Sequence, residues 1–160
     1  MIIAKIAEKE EDMNVEAILK EMRSTRDFPD IGGIAVFLGV VKGEVEDGGK
    51  VNQLEYDCIR AAAEDALRKI AEEQKEKWNL RSIVLIHRIG ILNPGEPTLF
   101  VAVAGRSRKE LFPALEETVE RIKREVPIFK LEKRDDGEYW IIGEKKVRRL
   151  LGDDRDNRGE

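Results

Sequence analysis

Two lysines on either side of a proline could form a reactive pocket. Lys123 and Lys130 flank Pro127, where an amphipathic pattern ending at Val126 gives way to alternating apolar and charged residues. This change of period predicts one lysine on a last helical turn and the other at the start of a strand. A fold at the proline could bring both ammonium groups together, which would bind anions and lower a lysine pKa. On spacing alone, two solvated surface lysines are the commoner explanation.

Further basic residues fall at the ends of predicted elements. Lys42 follows an apolar run, and Arg108 follows Ser107 where a strand meets a helix. A helix N-terminus offers free backbone N–H groups, and an arginine adds a two-pronged donor for phosphate or carboxylate. An ordinary helix cap with solvated arginines is the alternative. His87 and Arg88 close an apolar strand, and for this histidine a hydrogen bond to a backbone carbonyl is favoured over a role as general base.

Composition excludes several classes of protein. Charged residues make up 39% of the 160 residues, yet the net charge is −4 with both signs interleaved. The chain therefore lacks the excess of positive charge that would favour binding to nucleic acid or to an acidic membrane. Cys58 and His87 are the single cysteine and histidine, which argues against a disulfide or a Cys/His metal cluster. We expect no metal, no cofactor, no membrane contact and, because no signal peptide or membrane span is evident, a cytoplasmic location.

The hydrophobic pattern predicts one α+β domain with a largely antiparallel sheet. The apolar run Gly33–Val41 is predicted to be a central strand, with 51–58 antiparallel to it. Strands at 82–90 and 98–104 are predicted to pair as a hairpin, as are 128–134 and 138–142. Other predictions are a strand at 2–7, a helix capped by Asn14, a helix over 61–78 and a polar loop at 43–50.

The start of the third helix and the end of the domain are less sharply defined. Ser107 and Glu110 match a capping box, whereas Pro113 suggests a later start or a kinked first turn. Residues 145–151 are predicted to add a short helix. The domain is placed at 1–151, and the polar segment 152–160 is expected to be a disordered tail.

These segments, in this order, resemble the large catalytic subunit of molybdopterin synthase, the MoaE family. The resemblance covers roughly residues 28–142. Its specific parts are the His-Arg-Ile-Gly and Pro-Gly hairpin and the Lys-x-x-x-Pro-x-x-Lys segment. The matching residues are Gly33–Val41, Leu54-Glu55-Tyr56, Ile86-His87-Arg88-Ile89-Gly90, Pro94-Gly95-Glu96, Arg108, Lys123, Pro127, Phe129-Lys130, Gly137 and Trp140.

The resemblance implies an α/β hammerhead fold and a sulfur-transfer reaction. In this family, sulfur passes from a small ubiquitin-like carrier (MoaD-like), which ends in a Gly-Gly thiocarboxylate, to cyclic pyranopterin monophosphate. The product is the dithiolene of molybdopterin. The resemblance further implies a homodimer of large subunits with one carrier at each end, a heterotetramer.

The resemblance also implies roles for individual residues. Lys123 and Lys130 fall on the two active-site lysines. Arg108 falls on an anion-binding arginine. Lys42 and Ser107 fall on positions beside the substrate; the family often has arginine at the position of Lys42 and usually has histidine at the position of Ser107. His87 and Arg88 fall on a pair that we assign to the shape of the pocket. The alternatives are a noncatalytic module of the same fold that binds the carrier, and a sensor of a phosphate ligand.

Overall fold

The computed structural model of the chain describes residues 1–142 and 145–149. These residues form nine strands and three α-helices, so the α+β class is confirmed. In chain order the elements are β1 Ile2–Ala7, α1 Val15–Arg23, β2 Gly33–Val40, β3 Val51–Cys58, α2 Arg60–Lys77, β4 Ser82–Arg88, β5 Gly90–Leu92, β6 Pro97–Gly105, α3 Arg108–Glu125, β7 Ile128–Arg134, β8 Gly137–Ile142 and β9 Lys145–Arg148.

The first sheet has the strand order β1-β4-β6-β2 and forms the centre of the core. β1 and β4 are parallel, and the other two pairs are antiparallel. Helices α2 and α3 cover one face, where Leu67 packs with Ile83 and Val101. Helix α1 lies on the other face, where Met22 packs with Phe100. Strand β4 is buried along its whole length because both faces of it are covered.

The second sheet has the order β5-β3-β7-β8-β9 and is antiparallel throughout the described residues. The prediction that residues 51–58 pair with β2 is wrong, because β3 pairs with β5 and β7 instead. The loop between β2 and β3 moves the chain from one sheet to the other. Leu54 and Val51 of β3 then pack with Val41 and Leu92 in a separate small cluster.

The prediction of a central strand at Gly33–Val41 is also wrong, because β2 lies at the edge of the first sheet. Three apolar side chains on one face of it remain exposed: Val36 at 37%, Leu38 at 42% and Val40 at 52%. A continuous apolar run is typical of a strand buried on both faces. Within a single chain only one face of β2 is covered, so the apolar side chains on its other face remain accessible to solvent.

Helix α3 begins at Arg108, which decides between the alternatives left by the sequence. Ser107 precedes it as the N-cap, and the Glu110 carboxylate accepts a hydrogen bond from the Ser107 N–H at 3.3 Å. Pro113 lies inside the helix and cannot donate to the carbonyl of Lys109. The capping contact stabilises the first turn, so the helix starts before the proline despite this missing bond.

The C-terminal part differs from the prediction of a helix over 145–151. Residues Lys145–Arg148 form strand β9, which pairs with β8 so that Val147 lies opposite Trp140. The edge of β8 offers hydrogen-bond partners to the backbone of this segment, which favours a strand. The helix prediction failed because a local sequence pattern contains no information about such pairing. The expected tail at 152–160 lies outside the described residues. No helix among the described residues is long and apolar enough to span a bilayer.

Candidate active site

The pairing of β3 with β7 positions Lys130. Its register partner on β3 is Tyr56, and its partner on β8 is Ile141. The Lys130 ammonium group lies 6.0 Å from the centre of the Tyr56 ring, on the ring's electron-rich face. Because both strands are held by backbone hydrogen bonds, the lysine stands on a rigid support beside an aromatic wall.

Several charges surround Lys130 and change its pKa. The pKa of Lys130 is lowered mainly by burial, and the nearby carboxylate of Glu132 partly offsets this lowering. The positive charges of Lys123, Lys42 and Lys146 lower the pKa further. The structure therefore brings three of the lysines discussed above into one electrostatic cluster, and it adds a fourth in Lys146. A lysine with a lowered pKa has more of the neutral amine that acts as a base or nucleophile.

The chain reversal at Pro127 explains how Lys123 reaches this cluster. Lys123 lies in the last turn of α3, and Val126 leaves the helical conformation with an extended backbone. Strand β7 then starts at Ile128 and leads directly to Lys130. Proline cannot continue the helix, so the two lysines lie on consecutive elements that meet at a sharp junction.

His87 forms a wall of the pocket in its neutral state. Its ring packs edge-to-face against Tyr56, with the ring centres 5.1 Å apart. The Nδ1–H group donates to the carbonyl of Arg88 at 2.7 Å. Burial, reinforced by the charge of Lys130, lowers the pKa of His87 to about 4. Burial likewise raises the pKa of Tyr56 to about 12, so both rings are uncharged at neutral pH.

Arg88 follows His87 but points to the opposite side of β4, because side chains alternate along a strand. Its guanidinium is buried, and the Nη1–H group donates to the carbonyl of Pro97 at 3.1 Å. The Nε atom is buried and has no hydrogen-bond partner among the described residues. Through this hydrogen bond Arg88 stabilises the beginning of β6, on the side of the sheet away from the Tyr56 ring.

A second group of charges supports the site from β7. Glu132 and Arg134 follow Lys130 at alternate positions, so all three lie on the same face of the strand. The Arg134 Nε–H group donates to the Glu132 carboxylate at 2.9 Å, and Arg134 also pairs with Asp47 at 3.2 Å. Sequence reasoning missed Tyr56 and Glu132 as parts of the site. The period-two pattern of β7 could have identified Glu132, whereas the pairing of β3 with β7 was needed for Tyr56.

The other predicted anion-binding residues lie at a different end of the molecule. Arg108 opens α3, about 22 Å along the helix axis from Lys123 at about 1.5 Å per residue. Arg108 and Ser107 line a cavity of about 390 Å³ beside the start of β2, whereas Lys42 follows the end of β2. The structure therefore does not bring Arg108 to Lys42 within one chain. A larger open depression of about 690 Å³ contains none of the predicted site residues. Its charged lining residues are four acids and two bases: Asp27, Asp30, Glu72, Glu76, Lys75 and Arg81.

Comparison with known proteins identifies the family. The sequence model described as MoaE protein matches residues 8–125. The chain belongs to the MoaE family. The match includes Lys42, Lys123 and Arg108 but ends before Lys130.

Individual MoaE relatives extend the likeness over most of the chain. The molybdopterin synthase catalytic subunit of Pyrococcus abyssi is 34% identical and covers 89% of this chain and 93% of its own length. The crystal structure of molybdopterin synthase from Staphylococcus aureus superimposes with a TM-score of 0.76 at 32% identity, over 87% of this chain and 96% of that chain. A complex of subunits 1 and 2 of molybdopterin-converting factor from Helicobacter pylori shares the fold, with a TM-score of 0.64, 22% identity and coverage of 94% of both chains.

Proposed function

We propose that this chain is the catalytic subunit of a molybdopterin synthase. In two successive transfers it takes one sulfur atom from each of two small ubiquitin-like carriers with a C-terminal thiocarboxylate and adds it to cyclic pyranopterin monophosphate. The two sulfur atoms form the molybdopterin dithiolene. The observation that supports this proposal most strongly is the cluster around Lys130. A largely buried lysine with a lowered pKa lies among further lysines in a chain of the MoaE family.

The charges of this cluster suit both reactants. The pterin substrate has a cyclic phosphate, and the carrier tail ends in an anionic thiocarboxylate, so both are drawn to a group of ammonium ions. Lys123 and Lys130 are the catalytic residues of the proposal. A neutral lysine amine can accept a proton from the reacting groups. It can also attack the acyl carbon of the carrier, so that an amide forms while the C–S bond breaks and the amine loses a proton; water then hydrolyses the amide and releases the carrier as a carboxylate. Lys42 adds positive charge beside them.

The aromatic rings give the cluster its reactivity. Tyr56 and His87 exclude water from one side of Lys130, and both are neutral at pH 7. A less polar surrounding favours the neutral amine and strengthens the attraction between the remaining ammonium groups and an anion. His87 therefore acts on the shape and polarity of the pocket, and Arg88 acts from behind it by holding β6.

A second copy of the chain supplies Arg108 in our proposal. The exposed apolar strip of β2 offers a surface for a twofold homodimer. Antiparallel contact between two β2 strands sets the Gly33 end of one copy beside the Val40 end of the other. The cavity with Arg108 and Ser107 lies at the first end, and Lys42 follows the second. Such a dimer would combine Arg108 of one copy with the lysine cluster of its partner.

The assembly with a carrier and the cellular location are parts of the same proposal. In Helicobacter pylori, subunits 1 and 2 of molybdopterin-converting factor form a complex. We propose the corresponding arrangement here, with one carrier for each protomer of the dimer. The cytoplasmic location predicted from the sequence fits a reaction on small intracellular substrates and stays a prediction.

Reconstitution separates the enzyme from a noncatalytic carrier-binding module. The chain is mixed with a thiocarboxylated carrier and cyclic pyranopterin monophosphate, and the dithiolene is detected after oxidation as a fluorescent pterin. A synthase consumes the thiocarboxylate and yields the dithiolene product. A binding module would form the complex with the carrier and leave both reactants unchanged.

A further inference from the structure

Lys146 of β9 lies on the face of the second sheet that bears Lys130. In the strand register Lys130 is opposite Ile141, and Ile141 is opposite Lys146. Residues in direct register share a face, so both ammonium groups stand on one side of the sheet, two strands apart. The charge of Lys146 is close enough to lower the pKa of Lys130. Its side chain is 38% exposed, which leaves the ammonium group accessible to solvent and solutes.

An internal carboxylate holds Lys146 at this place. The Lys146 Nζ atom is 3.6 Å from the Asp47 carboxylate, in the loop between β2 and β3. Asp47 has better partners besides Lys146, because Arg134 lies 3.2 Å away and the Gly49 N–H group donates to it at 2.9 Å. Asp47 would therefore remain satisfied if Lys146 moved to another anion. A long, partly exposed ion pair of this kind adds little stability and is readily exchanged.

We propose that Lys146 is a further anion-binding residue of the Lys130 site, and that it exchanges Asp47 for an anionic group of an incoming reactant. The inference rests on the proposed function, which brings two anions to this face of the sheet. Either the phosphate of the pterin or the C-terminal carboxylate of the carrier can fill this role, since both offer oxygen atoms to an ammonium group.

Separate titrations identify the anion. Calorimetry measures the binding of cyclic pyranopterin monophosphate, and independently of a carrier with a Gly-Gly carboxylate, to the wild type and to Lys146→Gln. Lys145→Gln is the matched control, because Lys145 neighbours Lys146 but faces the other side of β9. Loss of a charge-assisted hydrogen bond predicts about tenfold weaker binding for Lys146→Gln in at least one titration. The titration in which affinity is lost identifies whether Lys146 binds the pterin phosphate or the carrier carboxylate.

Two further variants report on the mechanism of exchange. Lys146→Arg keeps the charge and is expected to retain binding within about twofold, which also shows that the position tolerates change. Asp47→Asn removes the competing internal charge and is expected to tighten binding of the same anion by about threefold. Tightening by Asp47→Asn together with weakening by Lys146→Gln is the signature of competition for one ammonium group.

The inference is overturned if Lys146→Gln binds both anions as the wild type does, or if Lys145→Gln shows the same loss. It is also overturned if Asp47→Asn leaves the affinity unchanged. In these cases a wild type that still forms the dithiolene would leave the proposed function standing. A wild type that binds both anions but forms no product would instead overturn the proposed function, whatever the effect of Lys146→Gln.

Discussion

Lys130 faces Tyr56 across the β3–β7 ladder, with its ammonium group 6.0 Å from the centre of the tyrosine ring. The ring packs edge-to-face against His87, a buried residue of β4 in the first sheet. This contact places the lysine where the two sheets meet. The reactive amine is therefore oriented by strand pairing, and its pKa is set by the burial that this pairing creates.

The coupling among the lysines predicts a shift in the reactivity of Lys130. Lys123→Ala removes a positive charge that lowers the pKa of Lys130, so that pKa should rise. Glu132→Gln removes the charge that opposes the lowering, so the pKa should fall. The rate of Lys130 acetylation, followed by mass spectrometry as a function of pH, should move to higher pH in the first variant and to lower pH in the second. Identical profiles in all three proteins would contradict the cluster.

Because the pKa of His87 is lowered, the chain is expected to lose stability in mild acid. Its pKa is about 4 in the folded chain against an ordinary 6.5, so between these values the unfolded state binds a proton that the folded state does not. Stability from this source is complete above pH 6.5 and falls as the pH decreases toward 4. The loss should reach about 2 kcal/mol between pH of about 7.5 and about 5, measured by urea unfolding.

The variant His87→Gln provides the control for this effect, because it removes the titrating group. Its unfolding free energy should change less over the same pH interval, whatever its absolute value. Carboxyl groups with lowered pKa values in the folded chain, such as Glu117 at about 2, also destabilise it in acid, but their unfolded forms gain protons mainly below 4.5. This contribution is the same in the wild type and in His87→Gln, so the difference between the two proteins isolates the histidine. An equal loss of stability in the wild type and in His87→Gln would exclude the histidine as the cause.

Removal of the Arg108 side chain is expected to weaken binding of the pterin more than binding of the carrier. Arg108→Ala should weaken the binding of cyclic pyranopterin monophosphate by about 1.5–3 kcal/mol, the value of a hydrogen bond to a charged group, and carrier binding should change less. Calorimetric titration with each ligand separately measures both effects. Equal losses for the two ligands, or none for the pterin, would remove Arg108 from the substrate site.

A mixing experiment tests whether Arg108 acts on the partner's site. At a pterin concentration well below saturation, Lys130→Ala and Arg108→Ala are each expected to form little product, but a heterodimer of the two has one site with both residues intact. Random exchange of subunits should then restore about one quarter of the wild-type activity. No activity above the two separate variants would show that Arg108 serves the lysines of its own chain or none.

Assembly offers a test that does not depend on chemistry. The chain alone should be a homodimer, and it should bind one Gly-Gly-tailed carrier per protomer. Replacing the exposed Leu38 of β2 by Glu should yield monomers, because a charge on an apolar contact surface is costly to bury. Light scattering at micromolar concentration measures both states. A wild type that is strictly monomeric would contradict the proposed dimer.

Local signals in the sequence were sufficient for much of the fold. Asn14 caps α1 as predicted, with its side chain accepting a hydrogen bond from Ala17 N–H at 2.9 Å, and the capping box at Ser107 marks the start of α3. Errors arose where pairing between distant segments decides the outcome. Strand β3 pairs with β7 rather than with β2, and β9 forms because β8 offers it an edge. Periodicity contains no information on such partners.

The candidate site shows the same division. The junction at Pro127 could be read from the sequence, and the structure places Lys123 and Lys130 on the two elements expected. Lys146 joins the cluster only through the pairing of β9 with β8, which no local pattern indicates. Arg108 was expected beside Lys42, yet the two lie at opposite ends of β2, a separation set by the length of the strand.

A single-turnover assay of the two catalytic lysines tests the central claim most directly. Each protein is incubated with thiocarboxylated carrier and cyclic pyranopterin monophosphate, and the dithiolene product is quantified. We predict product with the wild type and a loss of most product formation in Lys130→Ala and in Lys123→Ala. Both variants should keep the wild-type unfolding free energy within about 1 kcal/mol, since neither truncation opens a core cavity. Near-normal product in both variants would contradict the assignment of the active site.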